Sequence, residues 1–570
     1  MMTRIKEWIA GHPVAALTIF MFVVFSLGAI GVEISRINIR FALMTREMAD
    51  HPLGLFPTLN GQPYADYPSL YNFLSYLTSF GGRLVTRFTL VLPTILLGCY
   101  VVAMTAKTSD LLKPGTGLCA AMFSLLSYEY LNIFMAFSID LPVAAAALTV
   151  VWSLLEFDFK AKALPIYAAM LLLAFAVRGP LGLIMCGAVT AGVIIGARRW
   201  KALWLYGAVG AAVAAAALGA AYYAILRQGG KTLLHTVADW QVGSRVGKVS
   251  AYAYFYYFTN AIGSFMPVTG FALAALAIKR RELCKTELAI PILWALLPMV
   301  MLSIPGCKHL RYMTPLLPAF AIAAAIGYAE ADNSWIGKLV DLVVMLVDKL
   351  ILPAGLALTA VVVVMSFKLP ADKLPLYLHL AAALALLFVV YFSLFRLPGR
   401  IWRLIRCALA MLVLVGLAVP SGDAMWENSS HFVGRTEKLL EKQHGRLYLY
   451  ALSPDHAALK VMYHISPETR KNAVTIYRFD DDESEHLKKM FPVVSTQEAL
   501  AKIRPCDIVV LHREMLDDNR KKRKKRSEKK LRPLREEAES AGFELVVIDD
   551  KGRLGHKPSV AVKLVPRPPK

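Results

Sequence analysis

Four separate turns of this 570-residue chain carry charged side chains between apolar runs, in a sequence that is 57% hydrophobic. The first polar stretch, Glu33 to Arg87, holds Arg36, Arg40, Arg46, Glu47, Asp66 and Tyr67. Ser138-Ile-Asp140-Leu-Pro142 and Arg178-Gly179-Pro180 are short turns between apolar runs, and Lys308-His309-Leu-Arg311-Tyr312 leads into a run with Pro315 and Pro318. Ionisable residues at membrane depth persist where they face a cavity or pair with one another. Arg40, Arg178, Lys308 and Arg311 together suit an anionic group such as a phosphate or pyrophosphate, whose oxygens match a guanidinium fork. A carboxylate among them could be a general base or could simply neutralise the cluster. Each cation taken singly has a plainer explanation, a long side chain reaching the headgroup layer; recurrence at separate turns argues for a shared site.

The elements that must position these turns are membrane helices. A mean hydropathy of +0.51 lies outside the range of a soluble domain. Runs long enough to cross a hydrocarbon core roughly 30 Å thick follow one another from about 13–33 to 401–420, and predict about thirteen crossings. Among them, 115–134 and 255–278 read as single spans, 202–226 as a span followed by an external loop, and 330–349 as an interfacial helix leading into the next span. The first run exceeds the 7–15 residues of a signal-peptide core and reads as an uncleaved helix. Lys107, Lys113, Lys160, Arg198, Arg199, Lys279, Arg280 and Arg400 fall in alternate loops, as the positive-inside rule requires for a cytoplasmic N-terminus. An odd number of crossings then puts residues 421–570 outside the cytoplasm. The formal charge of +22 sits mostly at helix ends, which points to membrane lipids as partners and not to nucleic acid.

The expected organisation is a transmembrane domain over 1–420, with a first external loop at 34–83, and a soluble α/β domain over 421–570. Segments around Leu447, Val474, Ile508 and Phe543 read as short buried strands, and Thr436–Gln443 and Thr496–Lys502 as helices between them. No glycine-rich phosphate loop follows any of these strands, so no nucleotide cofactor is expected. The basic run Arg520 to Lys530 reads as a solvated segment or a patch for anionic headgroups. The seven cysteines contain no CxxC pair, and the twelve histidines form no helical ligand pair, so no metal site is expected. The segment Arg227 to Tyr257 adds Arg245, Lys248 and an aromatic run that suits either an interfacial belt or a wall for a prenyl chain or sugar.

Arg40-Phe-Ala-x-x-x-Arg46-Glu47-Met48, followed by Leu59-Asn60-Gly61-x-Pro63-Tyr64-x-Asp66-Tyr67-Pro68, resembles the first external loop of the polyprenyl-phosphate-dependent GT-C glycosyltransferases. The likeness is to the branch that contains the lipid A aminoarabinose transferase and the protein O-mannosyltransferases. Asp140 in its Ser-x-Asp-x-Pro turn, Arg178-Gly-Pro and Lys308-x-x-x-Tyr312 follow in the order of that branch. The resemblance implies a GT-C fold of about thirteen transmembrane helices. It implies inverting transfer of a hexosyl or pentosyl group from a polyprenyl-phosphate-linked sugar to a lipid, glycan or protein acceptor on the non-cytoplasmic face. It further implies a bacterial inner-membrane location with a periplasmic C-terminal domain, and no cofactor.

On that resemblance Arg40, Arg178, Lys308 and Arg311 hold the donor phosphate, Asp66 and Asp140 are the catalytic carboxylates, and Glu47, Tyr67, Arg245 and Tyr312 contact substrate. The chain departs from the pattern where the branch carries an acidic pair before the loop arginine, since Ile37 and Asn38 stand there. Tyr67 replaces the usual lysine, and Ser69 the second proline. Three outcomes follow: Asp66, Asp140 or Glu33 supplies the base, or the acceptor is acidic enough to need none, or the protein binds a lipid-linked glycan without reacting. A lipid or glycan transporter is the rival from another class, although the chain shows no repeated halves.

Overall fold

The computed structural model describes residues 7–8, 11–34, 38–51, 53–59, 61–241, 243, 251–329, 335–366, 374–395, 399–420, 429–450, 452, 457–476, 493–494, 496–513, 516, 534–554 and 557–567. Ile37, Arg245, Lys248 and the basic run 520–530 lie outside the described residues. The chain forms two compact units. The first comprises Met1–Val32, Pro52–Pro57 and Pro63–Gly422; the second comprises Glu33–His51, Thr58–Gln62 and Asp423–Lys570. The first polar loop is thus divided between them.

The first unit is helical. Among the described residues, six helices are long and apolar enough to cross a membrane, or eight if each of two bent pairs is one span, as expected of an integral membrane protein. Local chemistry sets many of their ends. The helix Arg87–Leu112 starts with a reciprocal capping box, in which the Thr86 hydroxyl accepts from Thr89 N–H at 3.2 Å and the Thr89 hydroxyl from Thr86 N–H at 2.9 Å.

Three expected helices differ from their sequence reading. The run 115–134 is two helices, Gly117–Ser124 and Tyr128–Phe134, bent by 83°. Ser127 restarts the second of them by accepting the Tyr130 N–H at 3.4 Å, and so acts as an N-cap within an apolar run. The run 255–278 likewise divides, into Tyr257–Ser264 and Val268–Ile278 at 115°, with Pro267 before the second helix. The segment read as an interfacial helix leading into the next span joins that span without a break, in one helix, Trp335–Ser366. Its acidic residues pair with cations of the helix Arg400–Val413: Asp341 with Arg400, and Asp348 with Arg406 through two 2.7 Å hydrogen bonds. Paired in this way, charges spaced along a helix can lie within a bundle.

Backbone proximity fixes where the first helix packs. Pro13–Ala29 meets a π-turn over Leu414–Ala418, and a Cβ added to Gly28 would lie 1.8 Å from the Gly416 carbonyl oxygen. Gly28→Val must therefore force the two helices apart. It is expected to destabilise the unit by about 1–3 kcal/mol, read as a lowered Tm in detergent; an unchanged Tm would show that this crossing is not tight.

The second unit contains a six-stranded sheet built from β1 (Leu447–Tyr450), β2 (Val474–Ile476), β3 (Val493–Val494), β4 (Ile508–His512), β5 (Phe543–Leu554) and β6 (Lys557–Pro566), in the order β3-β2-β1-β4-β6-β5. The first four strands are parallel, and β6 runs antiparallel to both of its neighbours, β4 and β5, so the sheet is mixed. β1 and β4 are buried at every position, which explains their uninterrupted apolar sequences. Buried Asp507 accepts the Arg446 and Arg504 backbone N–H groups at 2.7 and 2.8 Å and ties the starts of β1 and β4 together. The helix Asn38–Glu47 belongs to this unit and packs beside Ala457–His464. Arg46 donates to the Tyr463 carbonyl at 2.6 Å and stacks 3.9 Å above its ring.

Candidate active site

In the first unit, three of the polar turns converge. Arg178 is the last residue of the helix Leu164–Arg178, and the chain reverses at once through Gly179 (φ 66°) into Pro180, the first residue of the next helix. Only a residue without Cβ adopts that φ freely, and proline suits the first helical position, so Gly179-Pro180 places Arg178 at the corner. Asp140 begins the helix Asp140–Glu156, where the N-terminal dipole favours its charge. Ser138 assists by accepting the Leu141 N–H at 3.3 Å. Arg311 and Tyr312 lie in the 3-10 turn Leu310–Leu316, which the Thr314 hydroxyl tightens by donating to the Arg311 carbonyl at 2.6 Å.

Tyr67 reaches the same place from the first loop. That loop is held by the helix Trp200–Gln241, which continues through what the sequence suggested was an external loop, with a break at Gly229 and Gly230. Gln228, just before the break, donates to the Phe56 carbonyl at 2.8 Å and accepts its N–H at 3.1 Å. Gln241, at the far end, donates to the Asp66 carbonyl at 2.6 Å. Neither glutamine stood out in the sequence, because a lone amide in a polar stretch carries no pattern.

The geometry is a carboxylate between two guanidiniums. Arg178 Nε donates to Asp140 Oδ1 at 2.9 Å, and Arg311 Nε lies 3.3 Å from Oδ2. Arg178 is 1% exposed and Asp140 4%. Arg311 also donates through Nη2 to the Tyr67 hydroxyl at 3.2 Å. The Arg178 guanidinium stacks 4.8 Å from the Tyr67 ring centroid and 5.3 Å from that of Tyr312. Both its terminal nitrogens are buried and have no hydrogen-bond partner among the described residues. Buried donors of this kind call for an acceptor, and Asp140, bound at Nε, leaves the terminal edge of the guanidinium for an anion to meet. Burial holds the Tyr67 phenol protonated and pushes it up to about 12, with the Asp66 charge acting in the same direction against Arg178 and Arg311. Tyr67 is therefore a neutral hydrogen-bonding wall where a lysine would add a third cation.

The other residues singled out in the sequence stand elsewhere. Lys308 donates to the Leu302 and Ser303 carbonyls at 2.8 and 2.7 Å and so caps the end of the helix Thr286–Ser303; burial lowers its pKa. Arg40 and Glu47 belong to the second unit and are buried there, and Glu47 accepts the Gly61 N–H at 3.1 Å. Asn38 begins the same helix, and Glu33 pairs with the Ser430 hydroxyl. His309, next to Lys308, was not among the candidates. Its ring packs edge to face on Tyr312, with centroids 5.2 Å apart, and Nε2 lies 3.3 Å from Cys307 Sγ. A histidine two residues after a cysteine was the available signal.

No protein-family model and no curated protein sequence matches the chain. Among solved structures, it is similar to ArnT from Cupriavidus metallidurans bound to undecaprenyl phosphate, with a TM-score of 0.69 at 16% identity over 98% of each chain. It is also similar to the apo state of that protein, with a TM-score of 0.67 at 15% identity over 98% of each chain. At this identity the likeness speaks to architecture alone: an integral membrane protein with the GT-C glycosyltransferase fold.

Proposed function

We propose that this protein is a membrane glycosyltransferase that moves a sugar from a polyprenyl-phosphate carrier to a lipid, glycan or protein acceptor. The observation that carries the reading is the buried Arg178, whose terminal donors are unmatched while Asp140 and two tyrosine rings fix its plane. A guanidinium oriented before the ligand arrives suits a phosphate oxygen on which charge grows as the sugar departs. Arg178 and Arg311 hold the donor phosphate, and Tyr67 and Tyr312 contact substrate. Asp140 orients both arginines. The acceptor's proton has two candidate destinations, the half-buried Asp66 carboxylate and the exposed ring of His309.

Undecaprenyl phosphate bound to the ArnT structure favours a carrier of that class. The protein crosses the membrane thirteen times, inverts the anomeric carbon in transfer and resides in a bacterial inner membrane with a periplasmic domain over 421–570. The test is incubation of the purified protein in detergent with radiolabelled polyprenyl-phosphate sugars and a crude membrane or protein acceptor fraction. Label should move to the acceptor with at least one donor. Donor binding without transfer would leave a lipid-linked-glycan binding protein, and carrier-dependent flux in liposomes a transporter; either overturns the enzymatic reading.

A further inference from the structure

The two carboxylates of the cluster are already engaged. Asp140 is buried between two guanidiniums, where an acceptor hydroxyl does not reach it. Asp66 lies beside the Tyr67 phenol and helps keep it protonated. Transfer to a hydroxyl calls for a group that holds a lone pair near neutral pH and that an acceptor can approach.

His309 meets both requirements. Its residue is exposed in the turn between the helix Thr286–Ser303 and the 3-10 turn Leu310–Leu316. The backbone is pinned on both sides by one hydroxyl, since His309 N–H donates to Tyr257 Oη at 3.3 Å and Tyr257 Oη–H donates to the His309 carbonyl at 3.4 Å. The ring stands against Tyr312, the same ring that packs on Arg178, so imidazole and phosphate-facing guanidinium border one another across a single side chain. Cys307 Sγ lies 3.3 Å from Nε2, and in the tautomer whose Nε2–H donates to that sulfur Nδ1 carries the lone pair.

The structure assigns His309 as the proton acceptor of the transfer step, with Cys307 as a positioning residue that selects its tautomer. This assignment rests on the glycosyl-transfer reading. In the step, a bond forms between the acceptor oxygen and the anomeric carbon. The bond from that carbon to the carrier phosphate oxygen breaks, and its electron pair leaves on the phosphate. The acceptor's proton passes to Nδ1 and from there to water.

The charged and titratable groups around the ring come from every neighbouring element. They are Arg311 and Tyr312 after it, Cys307 and Lys308 before it, Tyr257, Arg178, Asp140 and Asp66. Partial burial, then the positive charges of Arg311 and Arg178, lower the imidazole pKa, and Asp140 and Asp66 oppose them in part. The sign follows: a histidine below its ordinary value of about 6.5 is neutral, and able to accept a proton, throughout the neutral range.

The experiment compares the wild-type chain, His309→Asn, His309→Ala, Cys307→Ser and Asp66→Asn in the radiolabel transfer assay across pH 5 to 9, with donor KM and Tm measured for each. The wild-type rate should be flat at neutral pH and fall on an acid limb below pH 6.5. His309→Asn should lose roughly 100-fold or more of the neutral rate, with donor KM changed less than threefold and Tm retained, and its rate should rise with pH where the wild type is flat. Added imidazole should restore part of the rate of His309→Ala, which a structural role alone would not allow. Cys307→Ser should move the acid limb without abolishing it. An acid limb that survives in His309→Asn and vanishes in Asp66→Asn overturns the assignment, as does a His309→Asn rate within threefold of the wild type. Absence of transfer by the wild-type chain overturns the glycosyl-transfer reading, and this assignment with it.

Discussion

Asp140→Ala is expected to lower the stability of the first unit by about 3–5 kcal/mol and to abolish transfer. The carboxylate forms an ion pair with Arg178, which is 1% exposed, and it faces Arg311 as well. Its removal takes from two guanidiniums the carboxylate both of them contact and leaves tyrosine rings and a phenol hydroxyl against them, with Asp66 acting only from farther off. That situation is worse than a lost hydrogen bond, because an uncompensated charge stays out of water. Asp140→Asn keeps the shape and one acceptor oxygen, so its stability should fall between the alanine variant and the wild type. Thermal or denaturant unfolding in detergent provides the measurement, alongside the transfer assay. If Asp140→Ala unfolds within 1 kcal/mol of the wild type, roughly the effect of an ordinary surface change, the carboxylate does not hold the cluster together.

The second large effect concerns the shape of a cation and not its charge. Arg178→Lys should weaken donor binding by about 10- to 100-fold, the equivalent of one charge-assisted hydrogen bond of about 1.5–3 kcal/mol. A guanidinium can bind Asp140 through Nε while its terminal nitrogens remain directed elsewhere, and its plane can lie between the Tyr67 and Tyr312 rings. A lysine ammonium is a single point. If it pairs with Asp140, it leaves no second edge for a phosphate. The charge is kept, so the cost to folding should be well below that of Asp140→Ala. The result to look for is a raised donor KM, or a smaller Tm gain on adding polyprenyl phosphate, at nearly unchanged Tm without ligand. An unchanged KM would move the phosphate away from Arg178.

The candidate cations divide according to their surroundings. Lys308 gives two of its hydrogen bonds to a helix end, which is a complete structural role for that side chain. Arg40 is buried in the second unit, within the helix Asn38–Glu47 that packs beside Ala457–His464. Arg178 differs from both in having one edge fixed and the other unmatched. In Arg178 both terminal nitrogens are left for a ligand.

Much of this was legible in one dimension, because the relevant physics is local. Apolar runs of spanning length declared a membrane protein. Gly179-Pro180 declared a corner because φ and the missing N–H of proline act on immediate neighbours. The Arg40 to Pro68 motif and the turns at Asp140, Arg178 and Tyr312 pointed to the GT-C fold that the solved structures display. Breaks inside apolar runs were harder to see: Ser127, which bends 115–134, is a single hydroxyl in a hydrophobic stretch. The partners of the charges in Trp335–Ser366 were likewise hidden, because Arg400 and Arg406 are 59 and 58 residues away.

The sequence by itself determined which residues sit at helix ends and what charges they bring. Only the tertiary structure decided which of those charges share an anion. Arg178 and Asp140 are 38 residues apart, and Arg311 and Tyr67 are 244. No helical or turn periodicity links such positions, and any of the candidate cations would have satisfied the pattern equally well. The choice is made when helices pack and each buried charge finds the partner that removes its desolvation penalty, and that partner depends on the whole bundle. The same packing brings the imidazole of His309 and the guanidinium of Arg178 against one tyrosine ring, a proximity that no spacing in the chain announces.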